Sequence, residues 1–350
     1  MLRRLRISIG PKHPANLKQL AAHLGLSTTT VSRVMSRTPA AARIPAATQK
    51  RVFEAAEQLN YQASAVARSL RQKKSFTVGV IVPEISEGYT ASVLSGIEDA
   101  LLEQDYFYFV VSHRHRPELL KNYISMLQSR GVEGIVAIDT PLDGGLRIPI
   151  ASVSGHKIRK GIVNIVVDHN VAAHQALNHL ASLGHKKIAF IRGQAFSSDT
   201  KARWRAIRKV AKELKLEIAP ERVVDLRLDA ATSEPGQEAT ERLLGQTRDF
   251  SALFAFNDLA AIGAMATLRQ HDLRVPRDVS VIGFDDIPSA ATNYPGLTTI
   301  RQPMQQMGRL AAQALLEAIR GEESHHKNFL SVLPTLVIRK STAHPRSDKL

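Results

Sequence analysis

From residue 77 onward, short apolar runs alternate with longer amphipathic stretches, and that rhythm constrains the fold more than any other feature of the chain. The runs 77–82, 108–111, 134–138, 162–167, 187–191, 252–256 and 279–284 are dominated by Val, Ile, Ala and Phe. They are apolar along most of their length instead of at every second position, as strands buried on both faces are. Between them, residues 91–103, 119–130, 171–183, 200–214 and 259–271 repeat at helical spacing. Alternation of this kind builds doubly wound parallel α/β sheets. Seven such strands exceed what one compact sheet of this length holds, so two lobes are expected. No glycine-rich phosphate loop and no G-x-S-x-G element occurs, which argues against an enzyme.

The first fifth of the chain is different in kind. The formal net charge is +15, and residues 1–74 hold fourteen Lys and Arg against only Glu54 and Glu57, a balance of +12 that leaves +3 for the rest. A small basic head joined to a nearly neutral body is the footprint of a polyanionic partner, nucleic acid or an anionic membrane. No stretch approaches ~18 apolar residues, so no membrane span is expected. The basic start meets Pro11 and Lys12 before any apolar core of a signal peptide. The chain has no cysteine, which removes disulfides and thiolate metal sites. The expectation is a cytoplasmic protein without metal or cofactor. His113-Arg114-His115 and His325-His326 read as solvated surface.

Within the head, residues 1–15 form a basic arm interrupted by Pro11 and Pro14. Asn16 can cap a helix whose apolar side is Leu17, Leu20, Ala21 and Leu24, and Gly25 ends it. Ser27 caps a second helix over 28–35, with Val31 and Val34 inward, and a third is predicted over 48–59. Small Ala21, the Gly25 turn and the Val31 glue satisfy the demands of a helix-turn-helix. Ser27, Thr28, Thr29, Ser32 and Arg33 then form the candidate face for base edges and phosphates in a DNA major groove. An ordinary surface hairpin has the same periodicity, and the terminal position and local charge favour DNA.

Three further strings make the pattern specific: Leu26-Ser27-Thr28-Thr29-Thr30-Val31-Ser32-Arg33-Val34, Leu59-Asn60-Tyr61 and Ser64-Ala65-Val66-Ala67-Arg68-Ser69-Leu70. With Gly184-His185-Lys186-Lys187-Ile188-Ala189-Phe190, Phe256-Asn257-Asp258, Val281-Ile282-Gly283-Phe284-Asp285-Asp286 and Leu297-Thr298-Thr299-Ile300-Arg301-Gln302, the chain resembles the lactose/galactose repressor family (LacI/GalR) over roughly residues 16–340. The resemblance implies a hinge helix at 64–70 that folds when two protomers meet on a pseudo-palindromic DNA site. It adds Asn60, Val66, Ala67 and Leu70 to the DNA-contacting residues, Leu70 as an apolar minor-groove wedge. A linker helix packing Val66 and Leu70 on the body is the alternative. Ala63 stands where the family usually has proline.

For the body, the resemblance implies a fold like periplasmic sugar-binding proteins, with ligand in a cleft between lobes. The expected division is 1–15 arm, 16–62 helix-turn-helix, 63–75 hinge and linker, 76–340 effector-binding domain and 341–350 tail. The N-lobe is placed at 76–166 and 298–326, the C-lobe at 167–297 and 327–340. Carboxyl ends of strands line such clefts. The matching residues are Tyr89, Ser154, Arg203, Asn257, Asp285 and Gln302, suited to a hydroxyl-rich carbohydrate or derivative. Asp286 is read as bracing. Ser154 stands where the family commonly has aspartate, and with one acid fewer beside Arg203 a phosphorylated or acidic carbohydrate is expected to fit. The partners expected are double-stranded DNA, a small-molecule effector and a second copy of the chain, the short polar ending favouring a homodimer. The rival reading is a solute-binding protein with no role in gene regulation.

Overall fold

Three helices of the head, α1 (Leu17–Leu24), α2 (Thr28–Met35) and α3 (Ala46–Gln58), close around Leu20, Val31, Val34 and Val52, all fully or almost fully buried. The computed structural model describes residues 15–36, 38–61, 74–85, 88–142, 148–155, 162–227, 230–322 and 329–346. The chain separates into two units, 1–75 and 76–350. The basic arm, the hinge segment with Val66, Ala67 and Leu70, and His325-His326 lie outside the described residues.

The first head helix starts and stops on local signals. Asn16 and Gln19 form a reciprocal capping box, the Asn16 side chain accepting from the Gln19 amide at 3.0 Å and the Asn16 amide donating to Gln19 Oε1 at 2.8 Å. Gly25 turns left-handed at φ 64°, which places the Leu26 amide on the Ala21 carbonyl. The third helix begins two residues earlier than the periodicity predicts, because Pro45 is tolerated at its entry and Ala46 and Ala47 extend the first turn.

The second unit holds two six-stranded sheets. The first is built from β1 (Thr77–Val82), β2 (Phe107–Ser112), β3 (Gly134–Ile138), β4 (Ile150–Val153), β5 (Ile162–Val167) and β11 (Phe329–Val332), ordered β11-β5-β4-β3-β1-β2. The second is built from β6 (Ile188–Arg192), β7 (Val223–Asp225), β8 (Ala252–Ala255), β9 (Ser280–Asp285), β10 (Thr298–Arg301) and β12 (Thr335–Val337), ordered β12-β10-β9-β8-β6-β7. Every pairing is parallel except β10 with β12. The helices between are α4 (Tyr89–Leu102), α5 (Pro117–Ser129), α6 (His169–Ser182), α7 (Ser198–Glu213), α8 (Glu234–Gln246), α9 (Asp258–Gln270), α10 (Pro288–Thr292) and α11 (Met304–Arg320). Helix α11 returns to the first sheet and packs on α4 so closely that a Cβ at Gly96 would collide with the Gln305 carbonyl oxygen. Among the described residues no helix is long and apolar enough to cross a membrane.

The expected lobe boundaries need two corrections. Residues 298–301 belong to the second sheet, where Thr298 to Arg301 pair in register with Ile282 to Asp285, and residues 329–332 belong to the first, beside β5. Each apolar run completes its ladder before the chain crosses, so the crossings fall just after the strands, near Gln302 and Leu333. The ending, read as a tail from residue 341, is docked as far as Arg346. The buried Ser341 hydroxyl donates to the Val281 carbonyl at 2.6 Å and accepts from the Thr298 amide at 2.7 Å.

Candidate functional site

On the head, α2 presents an exposed polar face. Thr28, Thr29 and Arg33 are exposed and Ser32 is half-buried, while Val31 and Val34 anchor the opposite side. Ser27 is exposed, and its hydroxyl accepts the Thr30 amide at 3.0 Å, so this oxygen fixes the helix start that a groove would receive. Asn60 is exposed in a left-handed turn at φ 47°, where it closes α3 as the Tyr61 amide reaches the Ala56 carbonyl. Its residue type therefore has a backbone reason independent of any DNA contact.

Between the two sheets of the second unit lies a cavity of about 130 Å3, lined from both lobes at the carboxyl ends of their strands. Five of the six residues expected at an effector site line it: Tyr89, Arg203, Asn257, Asp285 and Gln302. Ser154 does not. It is fully buried behind Tyr89, its Oγ 2.5 Å from the tyrosine Oη, and so holds the aromatic ring in place. Burial, then the carboxylates Asp199, Asp139 and Asp285, keep the Tyr89 phenol protonated well above its ordinary range.

Arg203 is buried, with both Nη groups engaged and its Nε without a hydrogen-bond partner. One Nη donates to the Phe256 carbonyl and the other to Asp199 Oδ2 at 3.3 Å, while the guanidinium carbon lies 4.4 Å from the Phe256 ring centroid and 3.5 Å from that of Phe284. Asn257 lends its Oδ1 to the Ala260 amide at 2.8 Å and thereby caps α9. Gln302 donates from Nε2 to Asp285 Oδ1 at 2.6 Å, leaving its own buried Oε1 without a partner. Asp285 stands at φ 119° and Asp286 at φ 61°, a strained pair for L-residues. Asp286 holds the turn by ion pairs to Arg301 Nε and Arg339 Nη2, both 2.6 Å, which is the bracing expected of it.

Sequence reasoning missed three acids, two of them close to Arg203 or the lobe contact. Asp139 follows β3 directly and Asp199 sits four residues before Arg203 on α7, and both line the cavity. The strand-end rule that selected Asn257 and Asp285 also reaches Asp139, and i, i+4 spacing pairs Asp199 with Arg203, but neither signal separates these acids from surface carboxylates. Asp139 reaches from the first lobe to the second, accepting from Ser197 Oγ at 3.1 Å and Ser198 Oγ at 3.2 Å. Burial first, then Asp199, push the Asp139 carboxyl up to about 7 against the two serines. Burial likewise pushes Asp285 up to about 7, outweighing the Arg203 charge and the Gln302 hydrogen bond. Glu84 adds a further acid. The acid missing at Ser154 is more than replaced: among the described residues four carboxylates line the cavity with one guanidinium. His113 and His115 are not loose surface residues either, since His113 is buried with Nε2 3.0 Å from Thr140 Oγ1 and His115 stacks on Phe196 across the mouth at 4.0 Å.

Comparison with known proteins agrees with this architecture. Residues 16–64 match the family of bacterial regulatory proteins typified by lacI, and residues 177–342 match a periplasmic binding protein-like domain. The HTH-type transcriptional repressor PurR of Haemophilus influenzae is 34% identical over 338 residues, spanning 93% of this chain and 98% of that protein. The crystal structure of the Lac repressor dimer bound to operator and the anti-inducer ONPF superposes with a TM-score of 0.83 at 25% identity, covering 95% of this chain and 100% of that one. The transcriptional regulator CelR in complex with cellobiose gives 0.69 at 25% identity over 94% and 100%. With the reading helix, the two-lobed body and a relative aligned along nearly its whole length, the chain belongs to the LacI family of bacterial regulatory proteins, which are DNA-binding transcriptional regulators and not enzymes.

Proposed function

We propose that this protein represses transcription as a homodimer on a pseudo-palindromic operator and that a small molecule, a carbohydrate or derivative, sets its operator affinity from the cleft. The observation that carries the reading is a cavity walled by both lobes and lined by five of the six expected effector residues, in a chain that also presents the exposed, capped polar face of α2. In this reading Thr28, Thr29, Ser32 and Arg33 meet base edges, Ser27 and Asn60 fix their helices with phosphates nearby, and Val66, Ala67 and Leu70 engage the minor groove. Tyr89 offers an aromatic wall, and Asp285, Asn257, Gln302 and Arg203 hold hydroxyls. Dimerisation follows the architecture of the Lac repressor, a dimer on its operator.

The effector acts by its differential affinity for two lobe arrangements. Selection of genomic fragments by the purified protein tests the reading. Enrichment of a palindrome, lost in Arg33→Ala, is the expected result. No enrichment, with or without small metabolites, would leave a solute-binding protein instead.

A further inference from the structure

The chemistry of the cleft narrows what can fill it. Among the described residues, the charged side chains lining the cavity are Glu84, Asp139, Asp199 and Asp285 against Arg203, with His115 at the mouth. Arg203 is paired through its two Nη groups to a backbone carbonyl and to Asp199, which offsets its charge, and its buried Nε is left without a hydrogen-bond partner. Asp199 also receives His169 Nε2 at 3.3 Å. What faces the cavity beyond these pairs is rich in acceptors. No described residue hydrogen-bonds Asp285 Oδ2, and the neighbouring Gln302 Oε1 is buried and has no partner. An acid entering this space would set like charges together in a desolvated site, whereas a donor bearing positive charge would satisfy both acceptors and neutralise the wall.

We propose that the effector carries a cationic nitrogen, as an amino sugar or another hydroxylated amine does, received by the acidic wall of Asp139, Asp199 and Asp285 beside the Gln302 carbonyl. This deepens the effector reading above and rests on it. Tyr89, protonated and facing Asp199, Asp139 and Asp285, adds no charge, and burial pushes the Asp258 carboxyl well above its ordinary range, so it too favours its neutral form. An ammonium group ionises Asp139 and Asp285 around itself, so binding releases protons.

The test uses the full-length protein, followed by thermal melting with Trp204 fluorescence. A bacterial small-molecule extract is split by ion exchange at pH 7 into cationic, neutral and anionic pools, and glucosamine, glucose and glucuronate serve as single probes. The expected result is stabilisation by the cationic pool that Asp285→Asn abolishes. In the unaltered protein, affinity counted per protonated ligand strengthens about tenfold per titrating carboxyl between pH 6 and pH 8. Stabilisation by the neutral or anionic pool instead, or affinity that is flat or falling with pH, overturns the cationic assignment and leaves the effector site standing. If no pool and no probe stabilises the protein, the effector reading fails as well.

Discussion

Replacing Asp285 by asparagine should stabilise the empty body at alkaline pH while silencing it. The side chain is 7% exposed, and burial holds its carboxyl up to about 7 against an ordinary 3.8, even with Arg203 and Gln302 pulling the other way. A carboxyl titrating higher in the folded state than in the unfolded chain favours folding at low pH, and that contribution is lost as pH rises through the folded value. Between pH 5 and pH 8 the unfolded chain is ionised throughout, while the folded protein holds its proton for about two of those units. At ~1.4 kcal/mol per unit, Asp285 withdraws about 2–3 kcal/mol of stability across that window. The amide of the Asp285→Asn variant has nothing to titrate there, and its oxygen could still accept from Gln302 Nε2. The quantity to measure is the difference between the two proteins' urea-unfolding free energies at pH 8 minus the same difference at pH 5, which cancels any packing change common to both. An advantage for Asp285→Asn that grows by about 2–3 kcal/mol supports the reasoning. Parallel pH profiles for the two proteins would refute it, because burial would then not be what sets the titration.

Other outcomes follow from the same geometry. Arg33→Ala should weaken operator binding by about 1–3 kcal/mol in fluorescence anisotropy with the head still folded, whereas Ser27→Ala should cost the head about 1 kcal/mol of stability through its lost cap. Gly96→Ala should destabilise the body by about 3 kcal/mol in thermal unfolding, since its Cβ meets the Gln305 carbonyl with no side chain able to yield. Asp139→Ala removes the serine contacts that join the lobes and should speed proteolysis at the lobe crossings several-fold, with the individual sheets unaffected.

What could be read without coordinates divides along physical lines. Long apolar strands and helices with distinct caps were legible, and β1, β3 and β5 begin and end where their hydrophobic runs do. β4, β7 and helix α8 were not, because four- and three-residue strands and a helix with Pro235 and Gly236 in its first turn carry too little periodicity. The cleft was legible where a strand-end rule could be applied to a strand already found, as at Asn257 and Asp285. It was misread at Ser154, whose strand had not been identified and whose hydroxyl turns to Tyr89. Asp139 and Asp199 escaped because a lone aspartate after a strand or in a helical turn is indistinguishable from a surface acid until burial is known.

Burial of those acids also gives a reason for the cleft to lie where the lobes meet. Asp139 belongs to the first lobe and holds the start of α7 in the second, while Gln302 sits just after β10, where the chain crosses between the lobes, and touches Asp285 at the strained end of β9. Each of these groups senses the angle between the lobes, and each is costly when desolvated without full pairing. A ligand that completes their hydrogen bonds and charge binds only the arrangement that brings both walls to it, so its binding free energy is differential between lobe arrangements from the outset. The size of any response is bounded by that difference, and a shift from one part in a hundred to ninety-nine requires about 5.5 kcal/mol. Two buried carboxyls whose titration reaches about 7 can supply a contribution of that order when a cation satisfies both. A neutral ligand meeting the same wall leaves the protons in place and has less to distinguish the two arrangements.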